Sequence, residues 1–278
     1  MIKPENNTYP ILSIQTTYKC NMQCANCYLG DMLNNDDYAD INVDMFRDAI
    51  SKLPKRIDVR FIGAEPTMND NLFEMIKIVK QYKHRPQILT NDLKLGQEDY
   101  VIKLKESGLN FLGLSMNGGL DDEVYKRFDN GKYAKLKVRA LEYCIKHKIV
   151  PHINIILDPT NLHIIKPLYN KVLELCNKYN RRVGINYPLT FRIKSIAKMG
   201  NYLDTHTFSM DELMNIAKDN FGNDLNFDFE IDGLLEKSSC MYSFDTPVGK
   251  MGGKITDWTI DDDGIPLSDS NRRGILME

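Results

Sequence analysis

The sequence predicts an α/β fold built on a mainly parallel sheet. Three observations lead there. Short apolar runs of strand length alternate with longer stretches of helical period about six times. None of the apolar runs is long enough for a membrane span. The composition is that of an ordinary folded chain, with 42% hydrophobic and 27% charged residues among 278. Strand–helix alternation of this kind calls for parallel strands joined by right-handed crossovers.

The elements follow in order. Residues 11–14 form a first short strand that runs into a group of cysteines. From residue 44 to 53, Met45, Phe46, Ala49, Ile50 and Leu53 recur at helical spacing. Residues 57–62 read as a second strand that stops at Gly63, and 71–82 as a helix with a broad apolar face. A third strand over 87–90 precedes a helix over 100–107, with Gly108 as its stop. A fourth strand, 111–115, precedes a long helix over 133–148. A fifth, 152–157, precedes a helix over 164–179, and 182–187 is the sixth strand. Six units are too few for an eight-unit barrel, and periodicity suits a partial barrel and an open doubly wound sheet equally. In both, the site forms at the C-terminal ends of the strands.

The pattern changes after about Lys194. One more helix is expected over 211–219, with Ser209 or Asp211 near its N-cap. Short strands follow over 226–231 and 254–260, and 261–264 reads as a turn. This gives a core of residues 1–200 and a small α+β appendage of 201–278.

The formal net charge of −2 shows no basic excess, so nucleic acid is not an expected partner. The first residues lack the charged-then-apolar design of a signal peptide, and the expectation is a cytoplasmic protein with no membrane partner. Six cysteines in a chain of this size do not form a disulfide framework. Three of them, Cys20, Cys24 and Cys27, fall within eight residues, which points to metal binding in a reducing compartment.

Three thiolates at that spacing fit one loop around a cubane cluster. An ordinary [4Fe–4S] site takes four cysteines. With three, one iron stays open to a small molecule, an arrangement for chemistry rather than electron storage. Structural zinc usually takes four protein ligands, yet the nearest histidine, His84, is far along the chain and no second Cys-x-x-Cys pair exists. The polar neighbours of the three cysteines also argue against a cluster of core thiols.

Cys20-x-x-x-Cys24-x-x-Cys27 followed by the aromatic Tyr28, directly after a first strand, resembles the radical S-adenosylmethionine (SAM) superfamily. Gly63-Ala64-Glu65-Pro66 after the second strand is similar to that family's Gly-Gly-Glu-Pro, which lies along the methionyl part of SAM and bonds its amino group. Thr90-Asn91 resembles the family's Thr-Asn-Gly, with Asp92 in the glycine position. Ser115-Met-Asn117 resembles the stretch whose serine and neighbours touch the SAM carboxylate or ribose. Arg127, ahead of Gly131, looks like the arginine-then-glycine stretch of peptide-modifying members. The fifth strand, which carries Asn154, and the Asn161 loop after it are similar to the family's fifth strand. Tyr28 resembles the aromatic that packs near adenine. Arg192 and Lys194 fall near the open mouth that the resemblance implies, where one can meet a carboxylate of SAM or substrate.

The resemblance covers about residues 10–200 and implies a partial (β/α)6 barrel. It implies SAM and a [4Fe–4S] cluster on Cys20, Cys24 and Cys27, with an electron donor such as a flavodoxin or ferredoxin. It implies reductive cleavage of SAM to a 5′-deoxyadenosyl radical that abstracts hydrogen from a substrate. The appendage, with Cys240, Gly252-Gly253 and residues 255–266, is similar to the SPASM or shorter twitch domain of peptide-modifying members. The cysteine expected after its Asp-Gly turn is replaced by Pro266-Leu-Ser268, so one cluster is expected rather than two or three. This similarity favours a peptide or protein substrate. A small molecule or nucleoside is the alternative within the enzyme class, and a non-catalytic metal-binding interaction module is the alternative outside it.

Cys240 has three readings: a hydrogen-atom donor to a substrate radical, a remnant of a cluster ligand set, or a structural thiol. Cys144 and Cys176 lie on apolar helical faces and read as core. The five histidines are scattered without ligand spacing, and His152, at a strand start, is the one placed near the site.

Overall fold

The computed structural model describes residues 11–54, 56–196, 201, 205–222, 225–229 and 239–256. The elements are β1 (Ile11–Gln15), α1 (Val43–Ser51), β2 (Asp58–Ile62), α2 (Leu72–Gln81), β3 (Arg85–Thr90), α3 (Glu98–Glu106), β4 (Phe111–Ser115), α4 (Asp122–Asp129), α5 (Ala134–Lys146) and β5 (Val150–Leu157). Then come α6 (Ile165–Lys178), β6 (Thr190–Ser195), α7 (Met210–Phe221), β7 (Asn226–Phe229), β8 (Ser239–Thr246) and β9 (Gly249–Thr256). Among the described residues nine strands form one sheet in the order β1-β2-β3-β4-β5-β6-β9-β8-β7. β1 to β6 and β9 are parallel, whereas β8 runs antiparallel to both β9 and β7. The strand order follows the chain through the first six units, as the partial (β/α)6 barrel requires.

The strands alternate strictly between two faces, because side chains two apart share a face. Val59, Phe61, Ile88, Leu112, Leu114, Ile153, Ile155, Phe191 and Ile193 are all 0% exposed and lie in the apolar core with the buried residues of the helices. The other face mixes the polar Arg60, Gln87, Ser115, His152, Asn154, Arg192 and Lys194 with Leu89, Phe111, Gly113 and Ile156. Parallel strands covered by apolar packing on both faces read as continuous hydrophobic runs; here one face carries most of the polar side chains. Burial first, then the charges of Arg60 and Arg192, push the His152 pKa down to about 4. Arg60 sits on β2, three strands from β5, and a sheet curled toward a barrel gives its charge that reach.

Helix ends follow local chemistry. Asn42 caps α1 by accepting from Asp44 N and Met45 N at 2.9 and 3.0 Å. Ser209 caps α7 in a capping box with Glu212. Asn130 ends α4 in the left-handed region at φ 53°.

Three expectations are corrected. The sixth strand is Thr190–Ser195 rather than 182–187. Gly184 turns the chain at φ +144°, Ile185 is 99% exposed, and Pro188 cannot donate to a ladder, so that stretch makes only isolated bridges. The helix α4 and the strand β8 had no counterpart in the periodicity. The strand expected over 254–260 begins earlier, at Gly249, while 257–260 and the 261–268 stretch lie outside the described residues, as do 230 and 231.

The sheet does not break near residue 200. β9 pairs with β6 from Thr190↔Gly252 to Lys194↔Thr256. Phe221 of α7 packs against Tyr169, Phe191, Tyr242 and Phe244, joining the later elements to α6 and β6. No described helix is long and apolar enough to cross a membrane.

Candidate active site

The loop after β1 is built before it can be occupied. Thr16 Oγ1 donates to the Ile62 carbonyl at 3.0 Å and Thr17 Oγ1 to Asp40 at 2.6 Å. From the loop after β2, Ala64 N donates to Thr17 O and Glu65 N to Lys19 O, each at 3.0 Å. Gly63 permits this close approach: its φ is +147°, and a Cβ there would stand 2.6 Å from Thr17 O. The replacement of the next glycine by Ala64 is accommodated beside that contact.

Cys20, Cys24 and Cys27 sit part-buried on this loop. Cys20 N donates to Asn34 Oδ1 at 2.7 Å, and Cys27 N to Cys24 O at 3.2 Å. Met22 N donates to Cys20 Sγ at 3.3 Å, and Asn91 Nδ2 approaches the same sulfur at 3.6 Å. Asn91 Nδ2 also donates to Asn21 Oδ1 at 2.8 Å. Tyr28 donates its hydroxyl to Gly63 O at 3.2 Å, closing the loop onto the second strand's end. From the far side of the sheet, Asn201 N donates to Cys27 O at 2.8 Å.

The thiols form one electrostatic group. Burial chiefly pushes Cys20 up to about 11, with Glu65 and Cys27 adding to it. Cys24 is raised further, by burial first and by Asp129 second, while Lys137 opposes both. Three sulfur donors gathered this way are poor thiolates until a cation meets them, which is what bound iron supplies. No three described His, Cys, Asp or Glu side chains converge on one ion-sized point. A cubane does not ask them to, because each thiolate meets a different iron. The donor set therefore fits a [4Fe–4S] cluster.

A second ring of residues holds this one. Glu65 is 1% exposed. Its Oε1 accepts from Thr67 N, Thr67 Oγ1 and Thr90 Oγ1 at 3.0, 2.6 and 2.7 Å, and its Oε2 from Asn91 N at 2.6 Å. Burial raises its pKa and these donors pull it back. Glu65 and Thr90 thus stand behind Asn91, which reaches the cysteine loop. Asn117 is also buried: its Oδ1 accepts from Ile156 N at 3.0 Å, joining the ends of β4 and β5. Ser115 gives its carbonyl to Lys137 Nζ at 2.7 Å. Asn154 accepts from Met116 N at 2.9 Å through its backbone and shares a row with Ser115, Arg192 and Lys254. Arg127 pairs with the buried Asp158 at 2.6 Å.

The structure thus brings the cysteines, Tyr28, Gly63, Ala64 and Asn91 to one rim, with Glu65 and Thr90 behind Asn91 and Asn117 joining the ends of β4 and β5. Cys240 occupies β8 opposite Ile255, which pairs with Ile193. Sequence reading missed Lys137, Asp129 and Asp92 as buried ionisable groups. A signal existed: Ala134, Lys137, Leu141 and Cys144 are the buried stripe of α5, with a lysine in a core position.

The sequence profile of the radical SAM superfamily matches residues 14–172. The chain belongs to the radical SAM superfamily. Members of this superfamily are enzymes that use a [4Fe–4S] cluster and SAM. The chain is 28% identical over 163 residues to the 7,8-dihydro-6-hydroxymethylpterin dimethyltransferase of Methanocaldococcus jannaschii, covering 56% of this chain and 31% of that protein. It is 28% identical over 216 residues to a GTP 3′,8-cyclase of Clostridium perfringens, covering 74% and 61%. Its fold matches that of Streptococcus suis SuiB bound to SAM, with TM-score 0.59, 15% identity and coverage of 76% and 46%. SuiB bound to its precursor peptide SuiA gives TM-score 0.57 at 16% identity, covering 76% and 45%. The chain spans between 31% and 61% of the length of the two curated relatives. The names of these three proteins point to three different substrates.

Proposed function

We propose that this chain holds one [4Fe–4S] cluster on Cys20, Cys24 and Cys27, binds SAM along the strand ends, and removes a hydrogen atom from a substrate lodged against the more polar face of the sheet. The observation that carries the reading is the part-buried three-thiol loop, fastened to Gly63-Ala64-Glu65-Pro66 and to Asn91. When bound, the cluster and SAM supply reductive cleavage to a 5′-deoxyadenosyl radical, with the electron coming from a flavodoxin- or ferredoxin-type donor. The protein's part is placement. Tyr28, Gly63, Ala64 and Pro66 line the rim for SAM, with Ser115, Asn154 and Arg192 on the inner wall. Glu65, Thr90 and Asn117 keep those strand ends in position, and Arg127 braces α4 against the end of β5.

The substrate reading is a peptide or protein, supported by the similarity of residues 201–278 to a reduced SPASM or twitch segment beside a core of 1–200. A second reading, a small molecule or nucleoside, has its own observation. The inner face carries Arg60, Arg192, Lys194 and Lys254, a cationic wall suited to a phosphate or carboxylate.

Anaerobic iron and sulfide analysis tests the cluster. About four of each per chain is expected, with brown visible absorption. About eight of each refutes a single cluster, and a colourless zinc protein refutes the enzyme reading in favour of an interaction module.

A further inference from the structure

Directly behind the cysteine loop lies a set of buried ionisable groups. Lys137 is 0% exposed, Asp129 2% and Asp92 0%. Burying an ammonium is unfavourable by several kcal/mol unless it is well paired, so this lysine needs both an explanation and partners. Its Nζ donates to the Ser115 carbonyl at 2.7 Å, stands 3.3 Å from Asp129 Oδ2 and lies 5.0 Å from the centre of the Tyr125 ring.

Asp129 is locked beside Cys24 by a pair of anchors. Ala25 N donates to Phe128 O at 2.8 Å, and Asn130 Nδ2 donates to Gln23 O at 2.6 Å. Cys24 lies between the two anchored loop residues, just as Asp129 lies between the two helix-end residues that hold them. The lysine therefore reaches the cysteine loop through a short, rigid chain of contacts.

Asp92 is a third buried ionisable group, set in unusual backbone. It holds φ +74°, a region that most side-chain-bearing residues avoid. Its Oδ1 accepts from Ser115 N at 3.3 Å, while its Oδ2 is buried with no hydrogen-bond partner. The backbone of Ser115 is thus held on both sides, its N–H by Asp92 and its carbonyl by Lys137. Burial, opposed by Lys137, pushes its pKa well above the ordinary carboxylate range, so the charged pair behind the loop is Lys137 and Asp129.

We propose that Lys137, balanced by Asp129, is a positioning residue for charge that sets the reduction potential of the iron–sulfur cluster held by Cys24. The proposal rests on the cluster reading given above. A cluster on three thiolates gains a further negative charge when it is reduced. In a buried site of low dielectric, a nearby fixed cation stabilises that reduced form and a nearby carboxylate opposes it.

The test is a potentiometric titration followed by electron paramagnetic resonance on the anaerobically reconstituted full chain. Lys137→Met is expected to move the midpoint to a more negative potential and Asp129→Asn to a more positive one, at wild-type iron and sulfide content. Unmoved midpoints, or two shifts of the same sign, overturn the proposal. Lys137→Met leaves the buried Asp129 without its cation; should it fail to fold, Asp129→Asn decides alone, by a positive shift or its absence. A wild-type chain that takes up no iron and sulfide overturns the cluster reading and this proposal together. That outcome is recognised by metal analysis before any titration, so the two failures are told apart.

Discussion

The two faces of the same strands do different work, and the difference shows how this fold separates stability from chemistry. On the helix-facing side, Phe61, Leu112, Ile153 and Phe191 are wholly buried in one apolar core. On the inner side, Arg60, Ser115, His152, Asn154 and Arg192 alternate with them and make that face the more polar one. A core side chain is held by dozens of dispersion contacts and by its removal from water. A polar side chain on the inner face is held by a few hydrogen bonds and charges, and can be exchanged at small structural cost.

The largest effect that would break this comparison comes from an exchange across the faces. Phe61→Ala, which opens a cavity beside the Phe46 ring 5.8 Å away, is expected to lower unfolding free energy by about 3–5 kcal/mol. Arg192→Gln, on the other face, should stay within about 1 kcal/mol of wild type while weakening binding of SAM or an anionic substrate. Denaturant titration reads both; equal losses would show that the inner face is structural after all.

Next comes the ring behind the rim. In Glu65→Gln an amide nitrogen replaces one carboxylate oxygen. Either the Asn91 N–H or one of the Thr67 and Thr90 donors then loses its acceptor, at a cost of about 1–3 kcal/mol. Weakened iron retention should accompany the loss, because Asn91 approaches Cys20. Full retention of iron in this variant would separate Glu65 from the site.

A smaller effect appears only in acid. His152 is held neutral, with its pKa pushed down to about 4 chiefly by burial. The unfolded chain then binds the proton more readily than the folded one, so stability falls as pH drops from the ordinary histidine value near 6.5 toward 4. His152→Gln should flatten that part of the stability–pH profile. An unchanged slope would assign acid lability to other groups.

The smallest effect is expected at Cys240, whose register row is that of Ile255 and Ile193. Cys240→Ala should leave SAM cleavage and product identity unchanged. Normal cleavage with an altered product would instead make this thiol the hydrogen donor to the substrate radical.

What was legible in the sequence follows the same division. The apolar rows of β2, β4 and β5 and their helices could be read because packing imposes periods of two and 3.6 on the chain. The cysteine loop and the residues at the ends of β2 and β3 could be read because local spacing carries their chemistry. β6 could not: Val183-Gly-Ile-Asn-Tyr187 looks apolar enough for a strand, but Gly184 and Pro188 place the ladder after it. α4 is short and mostly charged, with only Val124, Tyr125 and Phe128 as apolar contacts, so its period is faint. β8 finds its partners only once β9 has crossed to β6, a long-range pairing that no local pattern announces. Lys137 was hidden by its residue type. Only the tertiary position of Asp129 and the Ser115 carbonyl makes a core lysine sensible. Glu65 was legible as a motif residue, yet its inward direction was not, since four donors from three residues converge on it only in three dimensions.

The central claim is that the three-cysteine loop does radical chemistry with SAM. Its most direct test is to incubate the reconstituted, reduced protein anaerobically with SAM and assay for 5′-deoxyadenosine. The account predicts that it forms and that Cys24→Ala abolishes it. No 5′-deoxyadenosine from a protein with a verified intact cluster, across peptide and phosphorylated small-molecule substrates alike, would contradict the account.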